Sequence, residues 1–303
     1  MRTFATRHAV LSYYVLTFAI SWGSVLAIVG GPAGLPGTAS DIARLMPVVI
    51  PAMLLGPFIA AIAITGLADG SAGFRALGSH LLAWRAEPIW YAIALLTAPC
   101  VFLLALLVLS LTSPVFVPAV FGADDKLAFI LVATAPCLLV GFMEELGWTG
   151  VATPRLMLRH GVVATGLIAG TLWGTWHLLT NDFWGGAAGH GDVPLALFLA
   201  VNGIVMVIGQ LPAFRILMVW VYQQTGSLLI AILMHASLLF STFALAPAGL
   251  SGMSALLYPI AVGVCMWLVV AAYAAARSRR FGNAIQLLHL RDYHLRATRV
   301  PEQ

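Results

Sequence analysis

The sequence predicts an all-α fold, a polytopic bundle of about eight transmembrane helices. Three observations predict it. Of 303 residues, 61% are hydrophobic and only 9% are charged, where soluble domains carry roughly 45–50% apolar and 25% charged residues. The mean hydropathy is +0.98. Apolar runs of about 20 residues, enough to cross about 30 Å of hydrocarbon at 1.5 Å per residue, recur along the chain. Because the bilayer core holds no water to satisfy backbone N–H and C=O groups, such runs must be helical.

The first run, roughly 9 to 30, follows the basic start "MRTFATRH" and resembles a signal peptide. Its apolar core exceeds the usual length of about 7–15 residues and lacks a clear A-x-A site, so it reads as an uncleaved anchor. Runs at roughly 45–67 and 88–112 follow. Between them, residues 72–86 set Phe74, Leu77, Leu81 and Trp84 on one helical face, with Arg75 and Ser79 elsewhere. That pattern predicts a short helix lying in the cytoplasmic interface. Further spans are expected at roughly 127–148, 162–180, 195–213, 227–246 and 253–276. The stretch "TNDFWGGAAGHGDVP", 180–194, predicts an irregular external loop with His190 solvated.

No soluble domain or low-complexity tract interrupts the chain. Residues 1–125 read as N-terminal transmembrane helices, 126–246 as a core segment, 247–276 as the last span and 277–303 as a basic cytoplasmic tail. With the spans threaded alternately, Arg2, Arg7, Arg75, Arg85, Arg155, Arg159, Arg215, Arg277, Arg279 and Arg280 fall on one side. Only Arg44 and Lys126 fall on the other. This asymmetry predicts that both termini are cytoplasmic. The formal charge of +4 is then a matter of topology, and no nucleic-acid partner is expected. The tail "RSRRFGNAIQLLHLRDYHLRATR" suits either anionic headgroups or solvent. Cys100, Cys137 and Cys265 lie in three different spans without a C-x-x-C pair, and are expected as small core residues, neither disulfides nor metal ligands.

An ionisable side chain at the centre of a membrane helix costs roughly 2.5–3.5 kcal/mol on the insertion scale, so the few retained ones carry the information. Away from span ends and loops they are Glu144, Glu145, His177 and His235, with Asn202 and Gln210 as uncharged companions. Adjacent helical residues project about 100° apart. One glutamate can therefore face a central cavity, as a general base requires, while its neighbour turns toward another helix. The other reading of the pair is exposure to headgroups at the cytoplasmic end. Trp173 lies four residues before His177 and shares its face, where it suits a pocket wall. Charged or polar groups on three spans that can meet argue for one polar site within the membrane.

In order, "EELGWTG", "WGTWH" and "TGSLLIAILMHAS" resemble the motifs of the CAAX-protease and bacteriocin-processing (CPBP or Abi) family of intramembrane endopeptidases. Those motifs are E-E-x-x-x-R, aromatic-x-x-x-H, and H-x-x-x-N or a similar small polar residue. The resemblance covers roughly 126–246. It implies Glu144 as the base that activates water, Glu145 in support, His177 positioning the water or binding a metal with Glu144, and His235 stabilising the oxyanion. Glu144, His177 and His235 are also a candidate His₂Glu site for zinc or another divalent metal, although the chain has no H-E-x-x-H; a metal-free mechanism stands beside it.

Two positions depart from the family pattern: Thr149 replaces the arginine and Leu239 the asparagine. Arg155 is the nearby candidate to replace the cation. Thr242, seven residues beyond His235, is the candidate to replace the polar donor. With Trp173 they form the expected substrate-contacting set. The resemblance implies a peptide or protein substrate at the membrane, a lipid environment, and a bacterial plasma-membrane location. Two other functions remain: an inactive relative serving as a membrane binding or immunity protein, and a transporter using the buried acids. The transporter reading lacks paired inverted halves.

Overall fold

The computed structural model describes residues 6–122 and 124–297, with side-chain surroundings through residue 277 except at position 119. Its helices are α1 (Ala9–Val29), α2 (Ala39–Ala68), α3 (Gly70–Leu81), α4 (Pro88–Ser110), α5 (Lys126–Gly147), α6 (Thr153–Met157), α7 (Val162–His177), α8 (Leu195–Ile204), α9 (Leu211–Thr225), α10 (Leu228–Ala244) and α11 (Gly252–Ala297). No strand occurs among the described residues, and the fold is an all-α polytopic bundle. Of the expected tail, only backbone is described from 278 to 297, and 298–303 lie outside the described residues, as do Arg2 and the rest of 1–5.

Among the described residues, three π-helical turns modify the span boundaries. Trp148–Ala152 joins α5 to α6, Leu178–Trp184 extends α7, and Val205–Gln210 joins α8 to α9. Among the described residues seven units are long and apolar enough to cross a membrane, and α10 is a shorter apolar helix of 17 residues, or roughly 25 Å. The sixth unit runs from Leu195 to Thr225, well past the expected end at 213. The stretch 180–184, expected as loop, continues the span before it.

Loops gather at two ends, as alternate threading requires. At one end Arg155 pairs with Asp69, and His80 Nδ1 lies 2.7 Å from the Gly226 carbonyl. At the other, the Gly37 N–H donates to the Trp184 carbonyl at 3.0 Å, and Pro118 bridges Pro247. Leu77 and Leu81 of α3 pack on the bundle core, while Trp84 falls beyond the helix and is exposed. The Nδ1 of His190, expected to be solvated, donates to the Val193 carbonyl. Cys100 is exposed on α4 and so is not a core residue; Cys137 is buried, and all three cysteines are free.

Close backbone approach sets the core geometry. Gly166, Gly170 and Gly174, one turn apart on α7, lie against the backbones of Ile216, Pro212 and Val207, where any Cβ would collide. Such small-residue stripes let membrane helices approach closely without a hydrophobic driving force. Gly141 on α5 lies in the same way against the Ile232 carbonyl of α10. At the short link between α9 and α10, Gly226 takes a left-handed φ of 61° and the Ser227 hydroxyl caps α10 by accepting the Ile230 N–H at 3.2 Å. Helices α5, α7, α9 and α10 are thereby held around one polar centre.

Candidate active site

Glu144 and Glu145 occupy the last turn of α5, and both are buried. Their surroundings differ. Glu145 faces α9 and α10, where Arg215 holds it at both oxygens, Nη1–Oε2 at 2.7 Å and Nη2–Oε1 at 2.9 Å. His235 Nδ1 lies 2.6 Å from Oε1, and the Thr149 hydroxyl donates to Oε2. All four side chains are buried. A buried carboxylate with a bidentate arginine and two further donors has its acceptor sites filled and is structurally committed.

Glu144 Oε2 accepts one hydrogen bond, from Trp173 Nε1–H at 2.8 Å. Its side chain lines a cavity of about 220 Å³ together with His177 and Asn181. The other walls are mainly apolar, Ile50, Met53 and Leu54 from α2, Val140 from α5, and Leu239 and Phe243 from α10. A water takes about 30 Å³ of liquid volume, so this space has room for water beside Glu144 and His177. A larger cavity of about 520 Å³ between residues 178 and 208 is lined by apolar side chains and glycine, with no acid–base pair.

His177 Nδ1 lies 2.9 Å from the Trp173 carbonyl. A carbonyl only accepts, so Nδ1 holds the hydrogen and Nε2 of the neutral ring is an acceptor. Trp173 links both sides of the centre. Its indole donates to Glu144, its face lies 4.2 Å under the Arg215 guanidinium, and its edge meets His235 at 5.0 Å and His177 at 5.7 Å between centroids.

The structure thus gathers Glu144, Glu145, Trp173, His177 and His235, but not as one set of cavity walls. Trp173, expected as a substrate contact, is buried and holds Glu144 from behind. Arg155 is not at the centre; it is drawn to Asp69 and to the Val151 carbonyl at 2.7 Å. Thr242 is exposed, its hydroxyl bonded to the Leu238 carbonyl of its own helix at 3.0 Å. His235 does not line the cavity: Nδ1 is engaged by Glu145, and Nε2 is enclosed without a partner. Among the described residues no three His, Cys, Asp or Glu are placed to hold a metal ion. The candidate trio Glu144, His177 and His235 is therefore not assembled as a ligand set.

Two residues escaped the sequence reading. Arg215 was placed at a span end by the charge asymmetry, yet it is fully buried and supplies a cation beside Thr149, the motif's arginine position, with Nη1 3.3 Å from the Thr149 hydroxyl. The signal for it is the apolar run that resumes after it, "ILMVW". Asn181 lies in what read as loop, although it follows His177 by one helical turn.

No curated protein matches the chain. Residues 126–241 match the family model described as Rce1-like, type II CAAX prenyl endopeptidase Rce1-like. The matched stretch carries the polar centre, from Glu144 to His235, and over it the chain is similar to the CAAX-protease family.

Proposed function

We propose that this protein is an active intramembrane endopeptidase in which Glu144 activates the hydrolytic water. At family level it is a CAAX-type intramembrane protease. The observation that carries the mechanism is the division of labour between adjacent carboxylates: Arg215, His235 and Thr149 occupy Glu145, while Glu144 meets the cavity beside His177.

A water between Glu144 and His177 gives one hydrogen to the carboxylate and the other to Nε2, which aims a lone pair at the scissile carbonyl. As the C–O bond forms, Glu144 takes the proton and the carbonyl π pair moves onto oxygen. Collapse breaks the C–N bond, and Glu144 returns the proton to the leaving amine. Water is consumed and the products are a carboxylic acid and an amine, which pass the remaining proton between them to become a carboxylate and an ammonium. Trp173 keeps the base oriented, and the buried Arg215–Glu145 pair fixes α5 against α9. The substrate is a peptide or protein segment presented at the membrane, with both termini of the enzyme on the cytoplasmic side of a bacterial plasma membrane.

The test uses full-length protein in detergent with fluorogenic peptides, including one with a prenylated C-terminal tail. Wild type cleaves; Glu144→Gln loses about 10²–10⁴ in kcat, the range for a general base. A chelator leaves turnover unchanged. Full activity in Glu144→Gln removes the base assignment, and no cleavage by folded wild type favours the inactive-relative reading that Thr149 and Leu239 suggest.

A further inference from the structure

Hydrolysis as proposed above leaves the carbonyl oxygen in need of a donor, and this inference rests on that scheme. Negative charge grows on that oxygen as the tetrahedral species forms, and one fixed N–H aimed at it contributes about 10²–10³ in rate. His177 directs its N–H to the Trp173 carbonyl. Trp176 lines the wall, but its Nε1 is enclosed. His235 lies outside the lining, with Nδ1 held by Glu145 and Nε2 enclosed away from the cavity. Cys137 offers only a weak S–H donor. Leu239 is apolar where the family motif has asparagine.

Asn181 remains. It lines the cavity and is exposed, so it stands at the mouth, where a substrate carbonyl arrives before reaching the water. It follows His177 by four residues in a π-helical turn, so the two side chains leave the same side of the helix. Asn181 Oδ1 lies 3.1 Å from the Thr180 hydroxyl, whose single hydrogen is shared among Oδ1, Met53 Sδ at 2.9 Å and the His177 carbonyl at 3.3 Å, and Nδ2–H₂ is turned to none of these groups.

We infer that Asn181 is the oxyanion donor, supplied from the helix of His177 in place of the side chain that Leu239 lacks on α10. Nδ2–H hydrogen-bonds the oxygen as it becomes negative and gives up no proton. Leu239 and Asn181 line the same cavity, so the donor has changed helix and kept its station. Arg215 shows a parallel exchange, bringing a guanidinium to Thr149 from α9.

The test compares kcat and KM of the full-length protein on the prenylated fluorogenic peptide. Asn181→Ala loses about 10²–10³ in kcat, with KM within about threefold of wild type. Asn181→Asp keeps size and the acceptor toward Thr180 but removes the donor, and falls as far. Adding Leu239→Asn to Asn181→Ala restores at least about tenfold in kcat, because a donor returns from the opposite wall. Should Asn181→Ala fail to fold, the near-isosteric Asn181→Asp decides. A kcat of Asn181→Asp within about threefold of wild type overturns the inference. Glu144→Gln inactive beside active Asn181 variants sinks the donor alone; an inactive wild type sinks both.

Discussion

The polar centre has two sides one residue apart in sequence. On the closed side, Glu145, Arg215, His235 and Thr149 satisfy one another. On the open side, Glu144 has a single protein donor and meets a cavity with His177 and Asn181. The same side chain is structural in one place and available for chemistry in the other. What decides is the number of donors already satisfying each carboxylate, since only an unsatisfied one can take a proton from water. The comparison predicts that damage to the two sides separates cleanly into lost folding and lost turnover.

Arg215→Met gives the largest structural effect. It strands Glu145 as a buried charge without its cation, and breaking such a pair costs about 3–5 kcal/mol. Denaturant titration in detergent reads that loss, against a shift below about 1 kcal/mol for Glu144→Gln, which removes no ion pair. Combining Arg215→Met with Glu145→Gln recovers part of the loss, because the stranded charge is gone. Equal destabilisation by Arg215→Met and Glu144→Gln would collapse the distinction between the two sides.

The sequence foretold the class of the fold through the length of its apolar runs, and it singled out Glu144, Glu145, His177 and His235 through the cost of keeping ionisable groups in hydrocarbon. It misplaced Arg215 because a charge rule that orients loops was applied to a residue whose partner lies 70 positions away. The rule that buried charges pair would have pointed to it, as Glu145 needs a cation. Asn181 was lost for a different reason: glycines after Gly185 look like loop, and nothing local marks where a π-helical turn ends. The stripe Gly166, Gly170, Gly174 was legible as "GLIAGTLWG" yet passed unread, although it brings α7 against Pro212 and Ile216, flanking Arg215. Arg155 is near the motif along the chain, which a helix bundle does not respect, and Thr242 shares a helical face with His235 yet turns its hydroxyl to the Leu238 carbonyl of its own helix.

Trp173→Phe sharpens the comparison from the middle, because the indole touches both sides. Phenylalanine keeps a ring under the Arg215 guanidinium but deletes the N–H donated to Glu144. A hydrogen bond to a charged acceptor contributes about 1.5–3 kcal/mol, so a fixed base that loses it should lose about 10–100-fold in kcat, beside the stability cost of trimming a buried indole. A large stability loss with intact kcat would instead assign Trp173 to the closed side.

Arg155→Ala sets the lower bound. Its partner Asp69 belongs to the loop end of the bundle, and both side chains are partly solvated. Ion pairs of that kind contribute about 0–1 kcal/mol. Arg155 also donates to the Val151 carbonyl, beside a π-helical turn whose backbone bonds are already irregular. Losing it should slightly loosen the end of α6 and leave kcat on the peptide substrate unchanged, since the cation near Glu145 comes from α9. A fall in kcat comparable to that of Trp173→Phe would mean that Arg155 reaches the centre during turnover, so that the closed side extends to the loop end.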